Sequence, residues 1–185
     1  MERLDTQLNG PVLVRPVVHG DERGFFHESY RRSVYAEFGI PEEFVQDNHS
    51  RSRRGIVRGM HFQVGAGMAK LVRCARGAIV DVVVDLRRGS PTFGRWEACV
   101  LSEANRRQFW IPEGFAHGFV VLSPSATFSY LCTEAYAREC DRGLRWNDAE
   151  LAIDWPVANP GLSEKDAQAP LLREIAAEAL PEYRS

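Results

Sequence analysis

The sequence predicts an all-β fold, an antiparallel sandwich or barrel with short helices at its periphery. From Ile56 to Tyr136, apolar runs of strand length follow one another with turn residues between them. Within Ala78 to Leu86 the alternation is strict: Val80, Val82, Val84 and Leu86 form one face, and Asp81 and Asp85 point to the other. Helical periodicity is confined to two short stretches, Arg31 to Phe38 and Leu171 to Leu180.

Taken in order, Val12 to Val18 reads as a first strand, and Pro16 within it suggests an edge or an ending. Asp21 to Gly24 turns the chain, and Phe25 to Ser29 resumes extended structure. Val34, Tyr35 and Phe38 give Arg31 to Phe38 the spacing of a short helix, closed by Gly39. Phe44 to Ser50 leads through an arginine-rich turn (Arg51, Arg53, Arg54) to Arg58-Gly59-Met60-His61-Phe62-Gln63. Strands follow at Lys70 to Cys74, Ala78 to Leu86, Arg95 to Leu101, Gln108 to Pro112, His117 to Leu122 and Ala126 to Cys132. Beyond Tyr136 polar loops carry Trp146 and Trp155 as anchors. A helix over Leu171 to Leu180 would pack Leu172, Ile175, Ala176 and Ala179 against the sheets.

A chain of 185 residues suits one domain spanning 1–185, with a core that needs no disulfide or metal. A net charge of -2 gives no reason to expect nucleic acid or an anionic membrane as partner. No apolar run approaches the ~20 residues of a membrane span. The first residues lack a signal-peptide core, so a cytoplasmic location is expected. Cys74, Cys99 and Cys132 lie in strand-like runs as small buried hydrophobes, Cys140 lies outside them, and no disulfide is expected. Of 23 basic residues only Lys70 and Lys165 are lysines, the side chains whose pKa responds to burial.

The chemistry centres on His61, the side chain best suited to move protons near neutral pH, with Arg58 nearby to meet an anion. Pro112-Glu113-Gly114-Phe115-Ala116-His117 has the form P-x-G-x-x-H, the second of two motifs that mark metal-binding cupins. The first motif would need a second histidine where Gln63 stands. Gln is a poor ligand for zinc or iron, so the pattern supports a cupin-like antiparallel jelly-roll barrel and no metal. His117 then either orients substrate or closes a turn. Asp166 is a candidate to orient His61, Tyr130 to donate a proton, and Lys70 to stabilise an enolate oxygen. Arg23 and Arg58 are candidate phosphate binders. For each, a packing or solvated role stands beside the catalytic one.

Arg58 to Gln63 and Lys70 to Arg73, with Asp81 to Asp85 and Ser90-Pro91-Thr92-Phe93-Gly94, resemble the dTDP-4-dehydrorhamnose 3,5-epimerase family. So do Phe109 to Phe119, Trp155-Pro156, Ser163 to Ala167 and Ala169 to Leu172, in the same order over nearly the whole chain. The resemblance implies a cupin jelly roll, a homodimer, and neither metal nor organic cofactor. It assigns His61 as base, Asp166 as its dyad partner, Tyr130 as acid and Lys70 as enolate stabiliser. Arg23, Glu28, Gln46, Asp47, Asn48, Arg58, His117, Asp141 and Lys165 would line the sugar-nucleotide site, and Tyr136 would stack near the thymine. N-terminal strands would be exchanged between subunits, carrying Arg23 and Glu28 to the partner's site.

The implied substrate is a dTDP-4-keto-6-deoxyhexose, inverted at C3 and C5. Leu131, Ala135, Arg138 and Asp141 depart from the usual residues (lysine, an aromatic, proline and glutamate), and the His61–Lys70 loop is one residue shorter than in many members. Other readings that stay open are a C3-only or C5-only epimerase, a 3,4-ketoisomerase of the same sugars, and a non-catalytic sugar-binding cupin.

Overall fold

The computed structural model, which describes residues 1–40, 43–65 and 67–183, folds the alternating runs into two facing antiparallel sheets. Ala66, in the His61–Lys70 loop, lies outside the described residues. In chain order the strands begin with β1 (Glu2–Leu4), β2 (Val12–Arg15), β3 (His19–Asp21), β4 (Gly24–Phe26), β5 (Gln46–Arg53) and β6 (Val57–Gln63). They continue with β7 (Lys70–Arg76), β8 (Ala78–Asp85), β9 (Trp96–Ser102), β10 (Gln108–Ile111), β11 (Phe115–Val121), β12 (Ser125–Cys132) and β13 (Asp141–Gly143). Two helices, α1 (Arg32–Glu37) and α2 (Glu164–Ala167), lie outside them.

One sheet is ordered β1-β2-β10-β7-β12-β5 and the other β13-β6-β11-β8-β9, with β3 and β4 forming a separate hairpin. From β5 to β13 successive strands mostly alternate between the sheets, so that neighbours within a sheet are mostly distant in sequence, the arrangement of a cupin-like jelly roll. Among the described residues no helix is long and apolar enough to cross a membrane.

The burial pattern explains why the sequence takes this form. Val72, Ile79, Val83, Phe109, Ile111, Phe115, Phe119 and Phe128 come from both sheets and form the core between them. The outer face of the six-stranded sheet, with Val12, Val14, Leu71 and Trp110, is covered by Tyr35 and Ile40 of the α1 region. Gly39 has φ +84° just past that helix, the left-handed turn a glycine accommodates. The outer face of the five-stranded sheet carries Val82, Val84 and Leu86, covered by Leu144, Leu151, Trp155 and Leu180.

Val80, Val82, Val84 and Leu86 share one face as the alternation predicts; it is the outer one, under the C-terminal segment, and Asp81 and Asp85 on the other face are wholly buried. Other expectations are corrected. Leu171 to Leu180 is not one helix but two 3₁₀ turns, Leu172–Glu174 and Ala177–Ala179. Ile175 between them is extended, and side-chain carboxylates cap the N–H groups at the start of the first turn. Asp148 accepts from Leu172 at 2.7 Å, and Glu174 accepts from Leu171 at 2.8 Å. The first strand stops at Arg15, before Pro16, and the run from Phe25 stops at Phe26. The arginine-rich segment is not yet a turn: β5 runs on to Arg53, and Arg51 and Arg53 are its outward residues. β1, β13 and α2 are additional short elements.

Candidate active site

His61 and Arg58 are three residues apart on β6, a spacing that points side chains to opposite faces of a regular strand. The register with β11 removes that conflict. His117 pairs with His61 and Phe119 with Arg58, so three steps on β6 oppose two on β11. Glycines make this bulge possible. A Cβ on Gly59, whose φ is +118°, would lie 2.6 Å from Gly118 Cα, and one on Gly118 would lie 2.9 Å from Arg58 O. The result is that Arg58 and His61 both line one cavity of about 410 Å³.

His61 is a third exposed and its Nε2 lies 2.6 Å from Asp166 Oδ1, while Asp166 is almost completely buried. The neutral ring therefore carries its proton on Nε2, donates it to Asp166, and keeps Nδ1 as its basic nitrogen. Short-range architecture delivers Asp166 to this place. Gly161 is bound to both ends of the Gly55–Val57 segment, through Gly161 N to Gly55 O and Val57 N to Gly161 O, each 3.0 Å. Ser163 then caps α2 by accepting from Asp166 N at 3.1 Å. The second carboxylate oxygen of Asp166 accepts from Gly59 N at 3.4 Å. Burial pushes the Asp166 carboxyl up, but its bonds to His61, Ser163 and Gly59 and the attraction of His61 leave it below the usual range.

Lys70, first residue of β7, and Tyr130 on β12 line the same cavity, with Lys70 Nζ 5.9 Å from the Tyr130 ring centroid. Burial lowers the pKa of Lys70, against the opposing pull of Cys132, Asp141 and Asp81. Burial also raises that of Tyr130, so its phenol holds its proton. His117 does not close a turn. It is buried within β11, with Nε2 3.0 Å and 3.1 Å from the two oxygens of Asp81. Phe119 and Phe128 stack at 4.4 Å and form an apolar wall.

Of the residues singled out from the sequence, His61, Asp166, Lys70, Tyr130, Arg58, His117 and Lys165 meet in this cavity. Others do not line it. Asp141 forms an ion pair with Lys165, and its Oδ2 also accepts from the Tyr136 hydroxyl at 3.0 Å. Gln46 donates to Asn48 Oδ1 at 3.0 Å and accepts from Tyr136 N at 2.9 Å, which ties β5 to the Tyr136 loop. Asp47 alternates with these two and is exposed on β5. Arg23 pairs with Asp21 at the tip of the β3–β4 hairpin, and Glu28 pairs with Arg31 at 3.1 Å. Within a single chain neither reaches the cavity.

Sequence reading overlooked Asp81 as the partner of His117, and Ser50, which lines the cavity. An aspartate in the middle of a valine-rich strand was the available signal for the first. Among the described residues no group of three or more His, Cys, Asp or Glu side chains is placed to hold a metal ion.

Residues 5–174 match the family described as dTDP-4-dehydrorhamnose 3,5-epimerase. The chain belongs to that family. It is 57% identical over 159 residues to the dTDP-4-dehydrorhamnose 3,5-epimerase of Pseudomonas aeruginosa, covering 85% of this chain and 88% of that one. A 3,5-epimerase structure from Legionella pneumophila, solved in complex with dTDP-4-keto-L-rhamnose, superposes with a TM-score of 0.97 at 49% identity. That match covers 100% of this chain and 99% of the other. A 4-keto-6-deoxy sugar epimerase from the novobiocin biosynthetic gene cluster of Streptomyces spheroides gives a TM-score of 0.95 at 44% identity, covering 99% and 94%. Membership of the epimerase family rests on the whole barrel, since the matches run through both sheets and the α2 segment that carries Asp166.

Proposed function

We propose that the chain is an isomerase that inverts C3 and C5 of dTDP-4-keto-6-deoxy-D-glucose, giving dTDP-4-keto-L-rhamnose without a cofactor. The 4-keto group acidifies the C–H bonds on either side of it. His61 Nδ1 takes one of these protons, and the C–H electron pair moves onto the ketone oxygen as an enolate. The cation of Lys70 stabilises that oxygen. Tyr130 then gives its phenolic proton to the carbon from the opposite face, which inverts the centre. The second carbon follows by the same steps once His61 has released its proton to solvent and Tyr130 has regained one from it. Protons are exchanged and no electrons leave the sugar, so the chemistry asks for no redox partner.

The observation that carries this reading is the meeting of the His61–Asp166 pair, Lys70 and Tyr130 in one cavity of a chain from this family. Asp166 steadies the imidazolium that forms during proton removal. Arg58 and Lys165 serve the diphosphate, His117 and Asp141 the sugar, and Tyr136 the base. The proposal extends to a homodimer with exchanged N-terminal strands. The β3–β4 hairpin is exposed along its length, with Phe25 at 59% and Phe26 at 70% exposure. Exchange would seat these rings against the partner and bring Arg23 and Glu28 to the partner's cavity, beside Gln46 to Asn48.

Product analysis by NMR after incubation with dTDP-4-keto-6-deoxy-D-glucose tests the reading. The expected product keeps its ketone at C4 and has both neighbouring centres inverted. A ketone moved to C3 would make the chain a ketoisomerase, and one inverted centre would make it a mono-epimerase.

A further inference from the structure

We infer that Ser52 is a positioning residue for Arg58 and thereby sets recognition of the diphosphate; this rests on the sugar-nucleotide reading above. On β5 the residues alternate, Ser50 and Ser52 inward and Arg51 and Arg53 outward. Ser52 is 7% exposed and its cross-strand partner is Ala126, itself buried. A hydroxyl in that apolar setting needs a hydrogen-bond partner. It finds one across the gap between the two sheets: Arg58 Nε donates to Ser52 Oγ at 2.8 Å.

The consequence follows from the shape of the guanidinium. It has five N–H donors in one plane. With Nε–H held by Ser52, the plane is fixed and the four N–H groups of the two Nη atoms stay available. That is the set needed to grip two oxygens of a diphosphate in parallel. Arg58 is exposed at the cavity's rim, and its long side chain would otherwise be free to turn away. Ser52 touches no ligand in this arrangement and acts through the arginine.

Calorimetry with thymidine diphosphate and with thymidine separates this role from a merely structural one. Ser52→Ala should weaken thymidine diphosphate binding about three- to ten-fold, the scale of one ordinary hydrogen bond, since the serine acts only through the arginine. It should leave thymidine binding unchanged. Ser52→Thr, which keeps the hydroxyl, should bind like the parent. On an Arg58→Gln background Ser52→Ala should cost nothing more. In turnover KM should rise while kcat holds. Equal loss for both ligands, or an additive loss on the Arg58→Gln background, overturns the inference. So does unchanged thymidine diphosphate affinity in Ser52→Ala. A parent chain that binds no thymidine diphosphate removes the sugar-nucleotide reading and this role with it. Unchanged binding in the variant alone removes only the role of Ser52.

Discussion

His61 and His117 face each other across one β-pairing, each bonded to a carboxylate, and their surroundings separate their uses. His61 is partly open to the cavity, whereas His117 and Asp81 are both buried. Burial raises the Asp81 carboxyl, while the contacts around Asp166 lower its own. The lowered value has a consequence for stability. A carboxylate whose folded pKa lies below its unfolded value of about 3.9 stabilises the fold above that pH. The contribution is lost as pH falls through the folded value. Asp166→Asn should therefore lower the melting temperature most near neutral pH and converge on the parent in strong acid. The same variant should lose about a hundred-fold or more in kcat/KM, because it leaves the imidazolium of His61 unsteadied. A melting difference that grows on acidification would contradict the assignment.

At the scale of the element, the β6–β11 bulge decides whether there is a site at all. Regular alternation would put Arg58 and His61 on opposite faces, and only the extra residue beside Gly118 brings them to one cavity. Gly59→Ala is a direct probe, since the added carbon would meet Gly118 Cα at 2.6 Å and His117 O at 2.7 Å, both backbone atoms. It should destabilise the chain by about 2–4 kcal/mol in urea unfolding and reduce activity. Parent-like stability and activity would show the bulge to be dispensable.

This is also where sequence reading reached its limit. The valine alternation of β8 made the strand legible, and Gln63 made a metal unattractive. The inward direction of Asp81 was not legible, because both faces of that strand are buried and alternation alone does not say which is the core. The C-terminal stretch has helical spacing at Leu172, Ile175 and Ala179. What breaks it is the extended backbone of Ile175, a β-branched residue whose side chain packs against the outer face of the five-stranded sheet. His61 and Asp166 were paired through family resemblance; the anchoring of Gly161 to Gly55 and Val57 is the physical reason that they meet.

For the molecule as a whole, the exposed β3–β4 hairpin is the feature that the proposed dimer would cover. Phe25 and Phe26, on successive positions of the hairpin, are both large apolar rings left exposed to solvent. Sedimentation should find two chains per particle, and replacing both rings with serine should yield single chains with little turnover, because Arg23 and Glu28 would no longer reach a cavity. Fully active single chains would contradict the exchange. The central claim is that one base, His61, removes a proton from either side of a ketone, and deuterium labelling tests it most directly. Incubation with dTDP-4-keto-6-deoxy-D-glucose in deuterated water should place label at both C3 and C5, and His61→Ala should place it at neither. Absence of label at both carbons with the parent chain, or undiminished labelling by His61→Ala, would contradict the account.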